Sequence, residues 1–228
     1  MIDQTSVLDH GYIKFIESWG SDERIIESAR MSTNKGFQGW ETDAKLLAYL
    51  YRNNHATPFE MAGMIIEVKA PIFVFREWHR HRAQSYNEMS ARYVPIPDEH
   101  YVPTIDRILI DNVPTGNRQA SSTGAVVTRT NAVDWLAQIV SLNEQLQRVY
   151  TNALEVGIPK ELARLVIPVS RYSKMRASAN LRNWLAFLTL RLDSKAQWEI
   201  REYARVVGSM IAEKFPRTWE LFCEKRDK

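Results

Sequence analysis

Residues 80–93 read RHRAQSYNEMSARY and concentrate side chains able to hold an anion. Arg80, His81, Arg82 and Arg92 fall within thirteen positions, interleaved with Ser85, Asn87, Glu88 and Ser90. A guanidinium stays charged, and its planar fork matches phosphate oxygens in bidentate fashion. The plainer reading is a solvated basic face, which is how most charge runs end. Against it, the segment just upstream, PIFVFREW, is built for burial. Unpaired buried cations are costly, so either an anion meets these groups or they face water. A second run, NLRNWLAFLTLR, places Asn180 and Arg191 eleven residues apart, on nearly one direction of a helix, with Arg182 at the opposite edge of the apolar stripe. Taken alone, Arg191 reads as a snorkelling surface arginine. A third run, HATPFE, sets His55, Thr57 and Glu60 before a strand; its plainer reading is a capped turn. The chain has no CxxC, and His79 and His81 alternate with Arg80 and Arg82, so no metal site is expected.

The elements that must position these groups follow from periodicity and caps. GYIKFIESWG predicts a strand, and SDERIIESARMS a helix with a serine cap and early acids. ETDAKLLAYLYRNN predicts a second helix and MAGMIIEVKA a second strand. Pro71 opens a helix over PIFVFREWHRHR. Residues 95–130 carry four of the nine prolines and read as a loop or excursion. Trp135, Ile139, Leu142, Leu146, Val149 and Ala153 follow a helical period and predict a long amphipathic helix. A short helix at PKELARLVIP and a strand at VSRYSKMRA come next. Leu181, Trp184, Leu185, Leu188 and Leu192 then form one stripe, and helices over DSKAQWEIREYARVVGSMIAEKF and PRTWELFCEKR close the chain. Strands early and helices late predict an α+β fold with a helix-rich C-terminal half, in one domain over 1–228.

Composition narrows the function. The chain has 228 residues, 45% hydrophobic and 25% charged, with net charge +3 from 30 basic and 27 acidic residues. That balance does not suit nonspecific coating of nucleic acid, so any cationic function is local. The N-terminus shows no signal peptide pattern, and no stretch approaches a membrane span. One cysteine, Cys223, precludes an intrachain disulfide and fits a reducing, cytoplasmic setting. The nine glycines form neither GxGxxG nor a Walker loop. A module for single-stranded RNA would also set arginines beside tyrosines and tryptophans.

Together these runs resemble the flavin-dependent thymidylate synthase family. Its signature is Arg-His-Arg followed after seven residues by serine, here Arg80, His81, Arg82 and Ser90, continued by ARY. HATPFE, VKAPIFVFREW, IPKELARLVIP and NLRNWLAFLTLRLDSKAQWEI extend the likeness over most of the chain, and GNRQASSTG resembles an insertion of many members. The resemblance implies a homotetramer built on an antiparallel twisted sheet flanked by helices, with active sites shared between subunits. It implies conversion of dUMP to dTMP, with methylenetetrahydrofolate as carbon donor, NADPH as reductant and FAD between them. Thr57, Arg80, His81, Arg82, Glu88, Asn180 and Arg182 match flavin-contacting positions, with His55 and Glu60 in the same region. Glu77, Arg80, Glu88, Met89, Ser90, Ala91, Arg92, Arg164 and Arg191 match positions lining the dUMP site, and Arg191 matches the residue that activates the uracil. Three positions depart from the pattern. Glu77 stands where glutamine is frequent, Ala186 where a polar flavin neighbour is usual, and Lys195 where relatives carry a flavin-contacting histidine.

Chemistry on uracil requires carbon five to become nucleophilic. One route adds a thiolate to the neighbouring carbon. Cys223 sits in WELFCEKR with apolar spacing to its neighbours and reads as packing. The other route is a fixed cation beside the ring, which favours the anionic uracil. Arg191 suits that role, while Ser90 lacks a histidine-plus-acid relay in sequence and suits hydrogen bonding. A flavin-dependent NADPH oxidase without methyl transfer would share the cofactor site.

Overall fold

The computed structural model describes residues 4–110 and 126–226. Its strands are β1 (Gln4–Val7), β2 (Gly11–Trp19), β3 (Gly63–Pro71), β4 (Ser85–Glu88) and β5 (Tyr172–Asn180). They form one five-stranded antiparallel sheet in the order β1-β2-β3-β5-β4. Side chains alternate between the faces of a strand, and one face here is apolar. Met64, Ile66 and Val68 pair across to Ala179, Ala177 and Met175, and all six are buried. The opposite face carries Glu67, Lys69, Lys174 and Arg176. Such one-sided burial is typical of antiparallel sheets.

Helices cover the apolar face: α1 (Asp22–Arg30), α2 (Trp40–Arg52), α3 (Ile72–Trp78), α7 (Leu181–Arg191), α8 (Trp198–Lys214) and α9 (Pro216–Arg226). Ile25, Leu47, Trp78, Trp184, Phe187, Tyr203, Val207 and Phe222 meet the sheet in one core. Three further helices, α4 (Ile105–Ile110), α5 (Arg129–Glu155) and α6 (Lys160–Ala163), lie outside it. Tyr150, Ala153 and Ala163 form a small second cluster between α5 and α6. Among the described residues no helix is long and apolar enough to cross a membrane.

Several expectations are corrected. The helix opened by PIFVFREW stops at Trp78 instead of reaching Arg82, and Pro71 ends β3 and caps α3 rather than occupying its first turn. The cause lies downstream: Gln84 accepts a bond from the buried Trp78 indole at 3.1 Å, which turns the chain back towards the sheet. SYNE, given no structure from sequence, is the edge strand β4. Gln4–Val7, likewise unassigned, is the other edge. The third expected strand starts later than VSRYSKMRA and runs to Asn180. The 95–130 excursion contains α4 and the first residues of α5; GNRQASSTG lies outside the described residues. The long helix from Ala132 is present, but its apolar stripe is largely bare: Trp135, Leu142 and Val149 are 47%, 50% and 52% exposed.

Candidate active site

The strand β5 passes into α7 without a loop. Leu181 N–H donates to Ala62 O at 2.7 Å, and the Asn180 side chain caps the helix by accepting from Asn183 N–H at 3.0 Å. Capping of this kind fixes where a helix begins and therefore where every later side chain points. Buried Trp184 and Phe187 anchor α7, the first by donating to Met64 O at 3.1 Å. Arg182 and Arg191 then stand at opposite ends, nine residues or about 14 Å apart along the axis.

At the far end Arg191 is held on three donors. Nε donates to His81 Nε2 at 2.9 Å, Nη1 to Glu77 Oε2 at 2.7 Å and Nη2 to the Glu77 carbonyl at 2.8 Å. The side chain is 14% exposed. Because His81 Nε2 accepts, its proton sits on Nδ1. Burial, reinforced by the Arg191 charge and opposed by Glu77, pushes the His81 imidazole down to about 4, so the ring is neutral. Phe187 packs edge-on against His81 at 4.9 Å and lies 4.6 Å from Trp78. Tyr86 of β4 closes the turn from below, donating to the His81 carbonyl at 2.8 Å. Donors therefore follow an apolar segment because α3 is the buried anchor and residues 79–84 are the turn it holds out. Arg80 and Arg82 are exposed there, and no carboxylate pairs with either among the described residues. They line an open depression of about 650 Å³ with Arg76, Glu77 and His79.

At the near end a 3-10 turn, Thr57–Met61, presents Glu60 to Arg182, and the two form an ion pair. His55, Phe59, Arg182 and Leu185 line a cavity of about 240 Å³, and Thr57 is exposed. A third group stands apart. Arg92 pairs with Glu161 at 3.1 Å, Lys160 Nζ donates to Tyr93 O at 2.8 Å, and exposed Arg164 follows α6. Ser90 Oγ accepts from Arg92 N–H at 3.3 Å. No hydrogen bond or ion pair joins the three groups among the described residues. Glu88 is exposed at the end of β4, and Met89 N–H donates to Lys174 O at 2.8 Å. Ala91 is buried, and exposed Lys195 follows α7. Cys223 packs against the main core. The described residues hold no cluster of groups suited to a metal. A further depression of about 460 Å³, between Asp9 and Trp198, contains none of the predicted site residues.

The structure thus brings together Glu77, His81 and Arg191, and separately Glu60 and Arg182, and it leaves the phosphate-type arginines open or on exposed partners. Gln84, Tyr86 and Glu161 were missed from sequence. No local pattern marks them, because each acts on a group whose neighbourhood is made by folding. The donor set fits a dinucleotide: exposed guanidiniums without carboxylate partners suit a diphosphate. The near-end cavity, at about 240 Å³, is small for such a ligand.

Comparison with known proteins agrees with this geometry. The family model described as thymidylate synthase complementing protein matches residues 14–217. A protein of Thermosipho africanus named flavin-dependent thymidylate synthase is 38% identical over 95% of this chain and 92% of its own. One of the same name from Thermus thermophilus is 38% identical over 96% of this chain and 77% of its own. Among solved structures, the UMP/dUMP methylase PolB of Streptomyces cacaoi, bound with 5-Br dUMP, superposes with a TM-score of 0.83 at 31% identity, covering 96% of this chain and 97% of that one. Signature, sheet and family match converge: the chain belongs to the thymidylate synthase complementing protein family.

Proposed function

We propose that this chain converts dUMP to dTMP as a flavin-dependent thymidylate synthase, taking its carbon from methylenetetrahydrofolate and its electrons from NADPH, and that it works as a homotetramer with shared sites. The observation that carries the reading is Arg191, held rigid by Glu77 and His81 beside an open, arginine-lined depression. A guanidinium has five N–H groups. Three are engaged here, so two remain for a ligand. Aimed at a uracil carbonyl and ring nitrogen, they stabilise the anionic ring and make carbon five nucleophilic without a thiolate. Fixing the arginine beforehand matters, because a preorganised donor need not reorient as charge develops.

Other residues bind and orient. Arg92 and Arg164 would take the dUMP phosphate, with Glu161 giving way to it, and Ser90 adds a hydroxyl. Arg80 and Arg82 would hold the flavin diphosphate, while His55, Thr57, Glu60, Asn180, Arg182 and Lys195 border the rest. Bound FAD supplies the redox step that converts a transferred methylene into a methyl group. The separation of the arginine groups in one subunit, and the bare stripe on α5, support a site assembled from several copies. Formation of dTMP by the purified, flavin-bound protein in a complete mixture tests the reading. Flavin reduction by NADPH with no dTMP would favour an oxidase instead.

A further inference from the structure

Beyond Arg191 the chain leaves α7 through Leu192, Asp193 and Ser194 and borders a cavity of about 640 Å³ closed by α8 and α9. Four of its lining residues are cationic, Arg201, Arg205, Lys225 and Arg226, against one carboxylate, Asp193. Of the four, only Arg205 is paired with a carboxylate among the described residues, that of Glu202. The other three are fixed by neutral acceptors. Arg201 Nη1 donates to Ser194 O at 2.8 Å, Lys225 Nζ to Asn54 Oδ1 at 3.2 Å and Arg226 Nη2 to Leu192 O at 3.3 Å. Lys225 also lies over the Tyr51 ring at 5.6 Å and Arg226 over Phe222 at 5.7 Å. Neutral acceptors orient a cation without cancelling its charge. One donor goes further: the Nε of Arg201 is buried with no acceptor among the described residues. A buried N–H left unpaired is costly, so the Arg201 side chain gains by turning this group towards an anion oxygen in the adjoining cavity.

The cavity also runs towards the flavin side. Tyr51 lines both it and the smaller cavity holding His55 and Arg182. Leu185 borders the smaller cavity and Thr189 the larger, one helical turn apart on α7. We propose that the cavity beyond α7 is a phosphoryl-binding site that takes the phosphorylated arm of the nicotinamide reductant while the rest of that molecule follows α7 towards the flavin. The choice of reductant rests on the function proposed above; the phosphoryl site does not.

The test uses flavin-bound protein saturated with dUMP, so that the other phosphate sites are filled. Inorganic pyrophosphate is titrated calorimetrically into the parent and into the double variant Arg201→Gln, Lys225→Gln. The affinity should drop roughly tenfold to a hundredfold, as expected for loss of charge-assisted bonds. In parallel, the KM for NADPH in flavin reduction should rise by a similar factor, with dTMP formation driven by dithionite unchanged. Weaker pyrophosphate with an unchanged KM for NADPH would keep the phosphoryl site and assign it to a free anion. Equal pyrophosphate affinity in parent and variant, or none in the parent, would overturn the proposal. If the double variant does not fold, exposed Lys225→Gln alone carries the same comparison. Absence of dTMP from the dithionite-driven parent would instead refute the proposed function and leave the pyrophosphate result decisive.

Discussion

The chemistry of a single side chain, His81, links fold to function. It follows Arg80 in a run whose residue types predict anion binding, yet its ring faces inwards and accepts from Arg191. A protonated imidazole has no acceptor, so this contact exists only while the ring is neutral. The sign of the pH effect follows. The folded value is depressed from 6.5 to about 4, so the unfolded chain binds more protons between those limits. The contribution of His81 to stability is complete above 6.5 and is lost as pH falls towards 4. NMR titration of the ring should show a midpoint near the lower value, and a midpoint near 6.5 would mean that Arg191 is not held this way. The sequence made the arginine spacing legible, because charge and period are local properties. It could not show which arginines are tethered: Glu77 and Arg191 meet across 114 positions.

At the scale of elements, caps and apolar stripes were readable. Ser21 does cap α1, and the stripe on α7 is buried as its period predicts. Short polar strands were not, since β4 has no hydrophobic alternation and exists by pairing with β5. A less visible device joins the two ends of the chain. Asp22, in the first turn of α1, is buried and also caps α9, accepting from Arg217 N–H at 2.8 Å, Thr218 N–H at 3.2 Å and Thr218 Oγ1 at 2.6 Å. From sequence it reads only as an early helix acid. Asp22→Ala strands three donors, two of them on buried Thr218, and should lower stability by about 1–3 kcal/mol. Urea unfolding measures this, and an unchanged midpoint would show that the cap is dispensable. The same helix carries Lys225 and Arg226, so the variant should also loosen the cavity beyond α7.

At the scale of the molecule, α5 is the feature a single subunit does not explain. Its period was legible, but its partner was not, because sequence spacing identifies an apolar face without saying what covers it. Trp135, Leu142 and Val149 recur every seven residues and stay about half exposed, which is costly for large apolar side chains in water. The proposed tetramer, if it buries this stripe, would account for both the exposure and the scattered arginine groups. Leu142→Asp should therefore dissociate the assembly in light scattering and release flavin with it. A variant that stays tetrameric and yellow would place the interface elsewhere.

The central claim is that Arg191 activates the uracil and does not hold the cofactor. Arg191→Ala removes that guanidinium and leaves Arg80, Arg82, Arg92 and Arg164 in place. One preparation, assayed for flavin reduction by stopped flow and for dTMP by chromatography, decides the matter. The account predicts retained FAD, reduction by NADPH near the parent rate and dTMP formation down by about a hundredfold to a thousandfold. Arg191→Lys should recover only part, since a point charge lacks the planar fork. Formation of dTMP by Arg191→Ala at the parent rate, or loss of flavin from it, would contradict the account.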